Sequence, residues 1–226
     1  MQLLLNGGRN ERGVLKYDQV LSLYKQLDIK RVLFIVYALV EEDWQKYWKD
    51  AGPLFDLPGM EMHGLTLFDT DPKEIEKELR WAEFIYLPGG SQAVLLKRIH
   101  ELGTHDLLQK IIASGSLKLL GGGSAGAMVM SSQCIIGHQE VKSVEPGLNY
   151  LPGYIIDSHF SERERLPRLL ETLQDWPELQ GIGIDEDTAA LFDEKGTLQR
   201  VYGPGTVTIC TANNKTIYDQ DYQITQ

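Results

Sequence analysis

The sequence is poor in cysteine, in long apolar runs and in positive charge. Two cysteines in 226 residues, Cys134 and Cys210, make neither a disulfide framework nor a C-x-x-C metal pair. Both stand beside apolar residues, the setting of buried, unreactive thiols. The five histidines are dispersed and none falls in an H-E-x-x-H spacing, so neither a metal nor another cofactor is expected. No stretch approaches the roughly 18 unbroken apolar residues of a membrane span. The opening Met-Gln-Leu-Leu-Leu-Asn-Gly-Gly lacks the basic segment and the length of a secretory leader. A cytoplasmic protein without a membrane partner is therefore expected. A net charge of −10 repels phosphates over most of the surface and sets nucleic acid aside as a partner.

What the chain does have is alternation of strand-like and helix-like segments. Leu3–Leu5 is a short buried-type run followed by a Gly-rich turn. Tyr17–Leu27 then carries helical spacing at Val20, Leu21, Tyr24 and Leu27. Arg31–Tyr37, almost continuously apolar and rich in β-branched residues, reads as a central strand. A helix is expected over Val40–Lys49 and a strand over Met62–Phe68. Asp71-Pro72 is a helix start, with Asp as N-cap and Pro at the first helical position, for a helix reaching about Trp81. Phe84–Leu87 is the next strand and ends at Pro88-Gly89-Gly90-Ser91-Gln92. A helix to about Leu102 follows, and Thr104 is expected to cap another to about Ser114. Leu117–Leu120 reads as a strand and Ala125–Ser131 as the start of a helix. Tyr154–Asp157, Ala189–Phe192, Leu198–Tyr202 and Thr206–Cys210 are short strands, with one helix around Pro167–Gln174.

This order predicts an α/β protein: a three-layer α/β/α sandwich on a mostly parallel central sheet, with antiparallel strands added at one edge toward the C-terminus. No linker, repeat or low-complexity segment interrupts it, so residues 1–226 are expected to form a single domain. Ligands in such sheets bind beyond the carboxyl ends of the strands. Three features fall at such ends: Gly89–Gln92, Gly121–Gly126 and Asp157–Phe160.

Gly122-Gly123-Ser124-Ala125-Gly126 fits G-x-S-x-G between a strand and a helix, the setting of a nucleophile elbow. A serine on so sharp a turn needs neighbours without bulk, and the helix behind it offers free N–H groups, that of Ala125 first. Two other readings stand beside this one. Gly121, Gly123 and Gly126 also satisfy the dinucleotide pattern G-x-G-x-x-G, although the stretch up to Glu140 leaves little room for both helix and strand. The segment also reads as a plain structural turn.

A nucleophilic serine needs a base, and the base an orienting group. His159, in Asp157-Ser158-His159-Phe160 at a strand end, is the candidate base. Asp185-Glu186-Asp187 follows an apolar, Gly-spaced run and offers the acid, with one carboxylate held against the core. Arg163, Arg165 and Arg168 form the one dense basic cluster of an acidic chain, and Arg forks suit carboxylates. Pairing with Glu162 and Glu164 is the simpler reading of those arginines. Pro167 is expected to open a helix, leaving Arg163 and Arg165 on the loop beside His159.

Taken together and in order, these segments resemble the peptidase E and cyanophycinase family of serine peptidases, whose fold is similar to the class I glutamine amidotransferase domain. The resemblance rests on Pro88-Gly89-Gly90-Ser91-Gln92, Gly123-Ser124-Ala125-Gly126-Ala127, the run from Asp157 to Leu169, and Gly183-Ile184-Asp185-Glu186-Asp187-Thr188-Ala189. Ser158 and Glu162 stand where cyanophycinases usually carry Gln. The resemblance implies Ser124 as nucleophile, His159 as base and Glu186 as third member. It implies Gly90 and Ala125 as oxyanion donors, and Gln92, Asp157, Arg163, Arg165 and Arg168 as substrate-pocket positions. The implied activity is cleavage at an aspartyl residue of a small peptide, by a monomer or homodimer, nearer the cyanophycinase branch. A domain of this fold without catalytic activity, binding a small molecule or a partner, is the alternative. A glutaminase is set aside because that class carries Cys at the elbow.

Overall fold

Side-chain alternation along the first strands decides the layering. In β1 (Gln2–Asn6), Leu3 and Leu5 enter one buried cluster and Leu4 another. The same split divides Leu33 and Ile35 from Val32 and Phe34 in β2 (Arg31–Ile35). In β4 (Phe84–Leu87) it separates Ile85 and Leu87 from Phe84 and Tyr86. Strands apolar on both faces are those of a sheet covered on both sides. One cover is α1 (Asp18–Gln26), through Val20, Leu23 and Tyr24. The other is made by α2 (Pro72–Trp81), α3 (Gln92–Glu101) and α4 (Thr104–Ala113), through residues such as Ile75, Leu95 and Leu108. Each fully buried side chain of this size contributes about 1.5–3 kcal/mol. The protein is of the α/β class with the three expected layers. This computed structural model describes residues 1–8, 17–39, 57 and 59–222; the helix expected over 40–49 lies outside them. Among the described residues no helix is long and apolar enough to cross a membrane.

With β3 (Glu61–Leu65), β5 (Leu119–Gly123), β10 (Ala189–Phe192) and β11 (Leu198–Tyr202), these strands form a seven-stranded sheet in the order β11-β10-β1-β5-β4-β2-β3. The five from β1 to β3 are parallel, and β10 and β11 add antiparallel at one edge. β2 is thus not at the centre: only β3 lies beyond it.

The remaining described strands form a second sheet, of which the sequence announces two strands, Tyr154–Asp157 and Thr206–Cys210, but not the sheet itself. β6 (Ser131–Ile136), β7 (Ser143–Pro146), β8 (Leu151–Ser158), β9 (Gln180–Ile184), β12 (Val207–Cys210) and β13 (Lys215–Tyr218) lie in the order β13-β12-β9-β8-β6-β7. Val207–Cys210 therefore joins this sheet and not the edge of the first. The helix α6 (Leu166–Asp175), with Pro167 in its first turn, buries Leu169 and Leu173 in the same cluster as Ile182 and Ile184 of β9.

Local chemistry sets several boundaries. Asp71 caps α2 by accepting from the Lys73 N–H at 2.9 Å, a contribution of about 1 kcal/mol. Thr104 is the first residue of α4 and not its cap, a place taken by Gly103 at φ 65°. The helix after Ser124, α5, covers only Ala125–Met128. Ser131 ends it, its hydroxyl donating to the carbonyl of Met128 at 2.6 Å, and the chain turns straight into β6.

Candidate active site

The carboxyl end of β5 delivers Ser124 on a sharp turn, at φ 51° and ψ −116°. This backbone is unfavourable for a residue with a side chain and persists only where its surroundings hold it. Gly122 and Gly126 allow the turn to close. A Cβ on Gly122 would stand 2.4 Å from the Gly126 carbonyl, and one on Gly126 1.8 Å from the Leu87 carbonyl. The tight packing of α5 on β4 and β5 is the physical content of the G-x-S-x-G pattern. Ala125 opens α5, so its N–H has no acceptor within the helix.

β8, in the second sheet, ends at Ser158 and hands on His159, which is 6% exposed and has φ 50°. Its Nε2 lies 2.9 Å from Ser124 Oγ, and its Nδ1 lies 2.7 Å from Glu186 Oε1. An imidazole held between a hydroxyl and a carboxylate can take the hydroxyl proton at Nε2 while its Nδ1–H donates to the carboxylate.

The acidic triplet divides its work. Asp185 is buried; its Oδ1 accepts from the Ser161 N–H at 3.0 Å, and its Oδ2 from the Thr206 N–H and hydroxyl at 2.8 and 2.7 Å. It ties the loop after β9 to the segments carrying residues 161 and 206, and this fixes where Glu186 stands. Asp187 donates its N–H to the Gly8 carbonyl at 3.2 Å.

The three arginines also divide. Asp157 is fully buried and gathers two of them: its Oδ1 accepts from Arg165 at 2.9 Å and from Arg168 Nη2 at 2.6 Å, and its Oδ2 from Arg168 Nε at 2.6 Å. Burial pulls the Arg165 guanidinium down from its ordinary pKa, opposed by the Asp157 carboxylate. Arg163 makes no ion pair with the described carboxylates; its Nη1 meets His138 Nε2 at 2.9 Å. Arg163, followed by burial and the other two arginines, holds the His138 pKa below the ordinary histidine value. Because a guanidinium only donates, His138 Nε2 is the acceptor of this hydrogen bond.

In front of Ser124 and His159 lies a cavity of about 640 Å³, lined also by Gly90, Gln92, His138, Lys142, Arg163 and Arg165. The charged side chains of the described lining are cationic, an inversion of the chain's overall sign. Arg168 and Asp157 are not in that lining. Arg168 faces a second cavity, of about 620 Å³, on the far side of Arg163 and Arg165. The structure thus brings Ser124, His159, Glu186, Gly90, Ala125, Gln92, Arg163 and Arg165 to one place. It sets Asp157 and Arg168 behind that place as a buried support. His138 and Lys142 are cleft residues that sequence reasoning missed, and no pattern in the stretch between Gly137 and Ser143 distinguishes them. Among the described residues no cluster of His, Cys, Asp and Glu could hold a metal ion.

Comparison with known proteins identifies the family. The family model described as peptidase family S51 matches residues 3–200. A cyanophycinase of Synechococcus elongatus is 36% identical over 149 residues, covering 62% of this chain and 45% of the relative. A probable alpha-aspartyl dipeptidase of Drosophila melanogaster is 32% identical over 130 residues, covering 56% of this chain and 51% of the relative. The matches therefore span about half the length of these curated relatives. The crystal structure of a peptidase from an acI-B1 actinobacterium superposes with a TM-score of 0.65 at 22% identity, covering 100% of this chain and 96% of that one, a likeness of fold.

Proposed function

Because the chain belongs to peptidase family S51, we propose that it is a serine peptidase hydrolysing a peptide bond at an aspartyl residue of a small peptide. Ser124, giving its proton to His159, attacks the aspartyl carbonyl. His159 then passes the proton to the leaving amine, and water releases the acyl group by the same route. Glu186 orients the ring and stabilises its cationic form. The N–H groups of Ala125 and Gly90 receive the oxyanion, each such donor being worth about 2.7–4 kcal/mol of barrier.

The observation that carries this reading is the hydrogen-bonded chain Ser124–His159–Glu186 opening into a cavity whose described charges are Lys142, Arg163 and Arg165. An isolated Ser-His pair would support any acyl transfer. Cationic walls in a chain of net charge −10 favour a substrate with a free carboxylate beside the scissile bond, as an aspartyl residue has. Arg163, whose side chain bonds only to His138 among the described residues, is the fork best placed to take that carboxylate, with Gln92 on the cleft wall beside the nucleophile. Asp157 and Arg168 hold the cleft from behind, and Arg165, in its wall, is tied back to Asp157.

The test is hydrolysis of a panel of Asp-X, isoaspartyl-X and β-aspartyl-arginine peptides, with Ser124→Ala as blank. Turnover of at least one class by the wild type, abolished in Ser124→Ala, is expected. Equal turnover by the two proteins would remove Ser124 from the mechanism. No turnover of any class would leave the fold serving as a binding domain.

A further inference from the structure

The stretch Asn6-Gly7-Gly8 at the end of β1 is assigned no role by the reading above, yet the catalytic groups meet on it. β1 lies between the strand that delivers Ser124 and the strand that follows the acidic loop, pairing Asn6 with Gly123 on one side and Ala189 on the other. Beyond these pairs, three consecutive carbonyls accept from three different segments. The Asn6 carbonyl accepts from the N–H of Ser124 at 3.0 Å, that of Gly7 from His159 at 2.8 Å, and that of Gly8 from Asp187 at 3.2 Å. The N–H of Gly7 donates to the Thr188 carbonyl at 3.0 Å. Ser124 comes from the first sheet and His159 from the second, and this stretch bonds to both backbones.

Gly8 also lies under the reacting atoms. At φ 92°, a Cβ there would stand 2.6 Å from Cε1 and Nε2 of His159 and 2.9 Å from the Ser124 Cβ. The absence of a side chain at Gly8 thus leaves the room that the His159 ring and the Ser124 Cβ occupy.

Among the described residues, one side chain bonds to the backbone of the Gly7–Gly8 bend. Asn6 is fully buried; its Oδ1 accepts from the Gly8 N–H at 3.1 Å, and its Nδ2 donates to the Tyr86 hydroxyl at 2.5 Å. An Asn accepting from the N–H two residues on is an Asx turn, here anchored by its amide to β4. We propose that Asn6 is a positioning residue of the catalytic site: by fixing the Gly7–Gly8 bend it sets the approach of Ser124 Oγ to His159 Nε2. The proposal rests on the serine-peptidase reading given above. A displacement of about 1 Å in such an arrangement can lower the rate about 100-fold.

The experiment measures kcat and KM on the peptide turned over by the wild type, together with the rate at which a fluorophosphonate labels Ser124, for the wild type, Asn6→Ala, Asn6→Ser and Ser124→Ala. Folding is followed by thermal melting. Asn6→Ala is expected to lose about 10- to 100-fold in kcat and in labelling rate, with KM within about twofold. Asn6→Ser keeps an acceptor for the N–H two residues on and should recover most of that loss. A residue that only stabilised the fold would not separate kcat from KM, nor be rescued by Ser. A folded Asn6→Ala with the wild-type kcat and labelling rate overturns the proposal. Should Asn6→Ala fail to fold, Asn6→Ser carries the test: a kcat close to wild type supports it, and a loss beyond tenfold in a folded protein overturns it. Wild-type turnover by Ser124→Ala instead removes the serine-peptidase reading itself, whatever the Asn6 variants do.

Discussion

Replacing Asp157 by Ala should destabilise the protein severely, and the reason is visible atom by atom. Asp157 is fully buried, and its two oxygens accept four hydrogen bonds: from Arg165, twice from Arg168, and from the N–H of Ser158 at 2.9 Å. The partner side chains are 3% and 8% exposed, so each guanidinium, although it keeps a bond to the His138 carbonyl, has little water to replace the carboxylate. The gross attraction of such a group offers no measure of its net contribution, since desolvation offsets most of it. Removing one partner, however, strands the other charges and costs about 3–5 kcal/mol. For a chain of this size 1 kcal/mol moves the melting temperature by about 2–4 °C, so Asp157→Ala should melt some 6–20 °C lower. Urea unfolding should give the same difference at an unchanged m-value. The double variant Asp157→Ala with Arg168→Ala should lose less than the sum of the single losses, because the three groups form one network. A variant melting within about 2 °C of the wild type while losing substrate affinity would refute this. Asp157 would then be a substrate contact and not a support.

Three further outcomes follow from the same structure. Arg163→Ala should raise KM about 10- to 100-fold, the loss of a charge-assisted contact worth about 1.5–3 kcal/mol, and shift stability by no more than about 0.5 kcal/mol; an unchanged KM would take Arg163 out of the substrate site. Burial, followed by the nearby His100, holds the His105 pKa below its ordinary value of 6.5. The unfolded chain then binds that proton more readily, so the contribution of His105 is complete above about pH 6.5 and is lost as pH falls through the folded-state value. Melting temperature between pH 7 and 5 should fall less steeply in His105→Asn than in the wild type, and parallel slopes would contradict the assignment. Cys134 and Cys210 are both buried, and burial pushes both thiols above their ordinary pKa; a thiol reagent at neutral pH should label neither until the protein is unfolded.

The parallel half of the fold was legible because its strands are apolar on both faces and its helices carry ordinary signals, such as the Asp71 cap. Of the second sheet only β8 and β12 were legible, as Tyr154–Asp157 and Thr206–Cys210, and their joining in a separate sheet was not. Ser131–Ile136 opens with three polar residues, and Gln180–Ile184 carries two glycines that read as a loop. Gly183 is glycine because the Phe160 ring lies where its Cβ would stand, 2.3 Å from the nearest ring carbon; a strand chosen for close approach hides its own propensity. Ser124 and His159 stood out at strand ends, where the fold class places chemistry. In the triplet 185–187, by contrast, composition could not tell which carboxylate is structural and which meets the histidine. The distinction between Arg163 and its neighbours was equally hidden, since it depends on Asp157, eight and eleven residues away along the chain. Asn6 carried the weakest signal, a polar residue closing an apolar strand before two glycines.

The central claim, that Ser124 is a nucleophile activated by His159, is tested most directly by treating the wild type, Ser124→Ala and His159→Ala with a fluorophosphonate and mapping the adduct by mass spectrometry. The account predicts one adduct, on Ser124, absent from Ser124→Ala and formed far more slowly in His159→Ala. A wild type that remains unlabelled, or that carries its adduct at another residue, would contradict it.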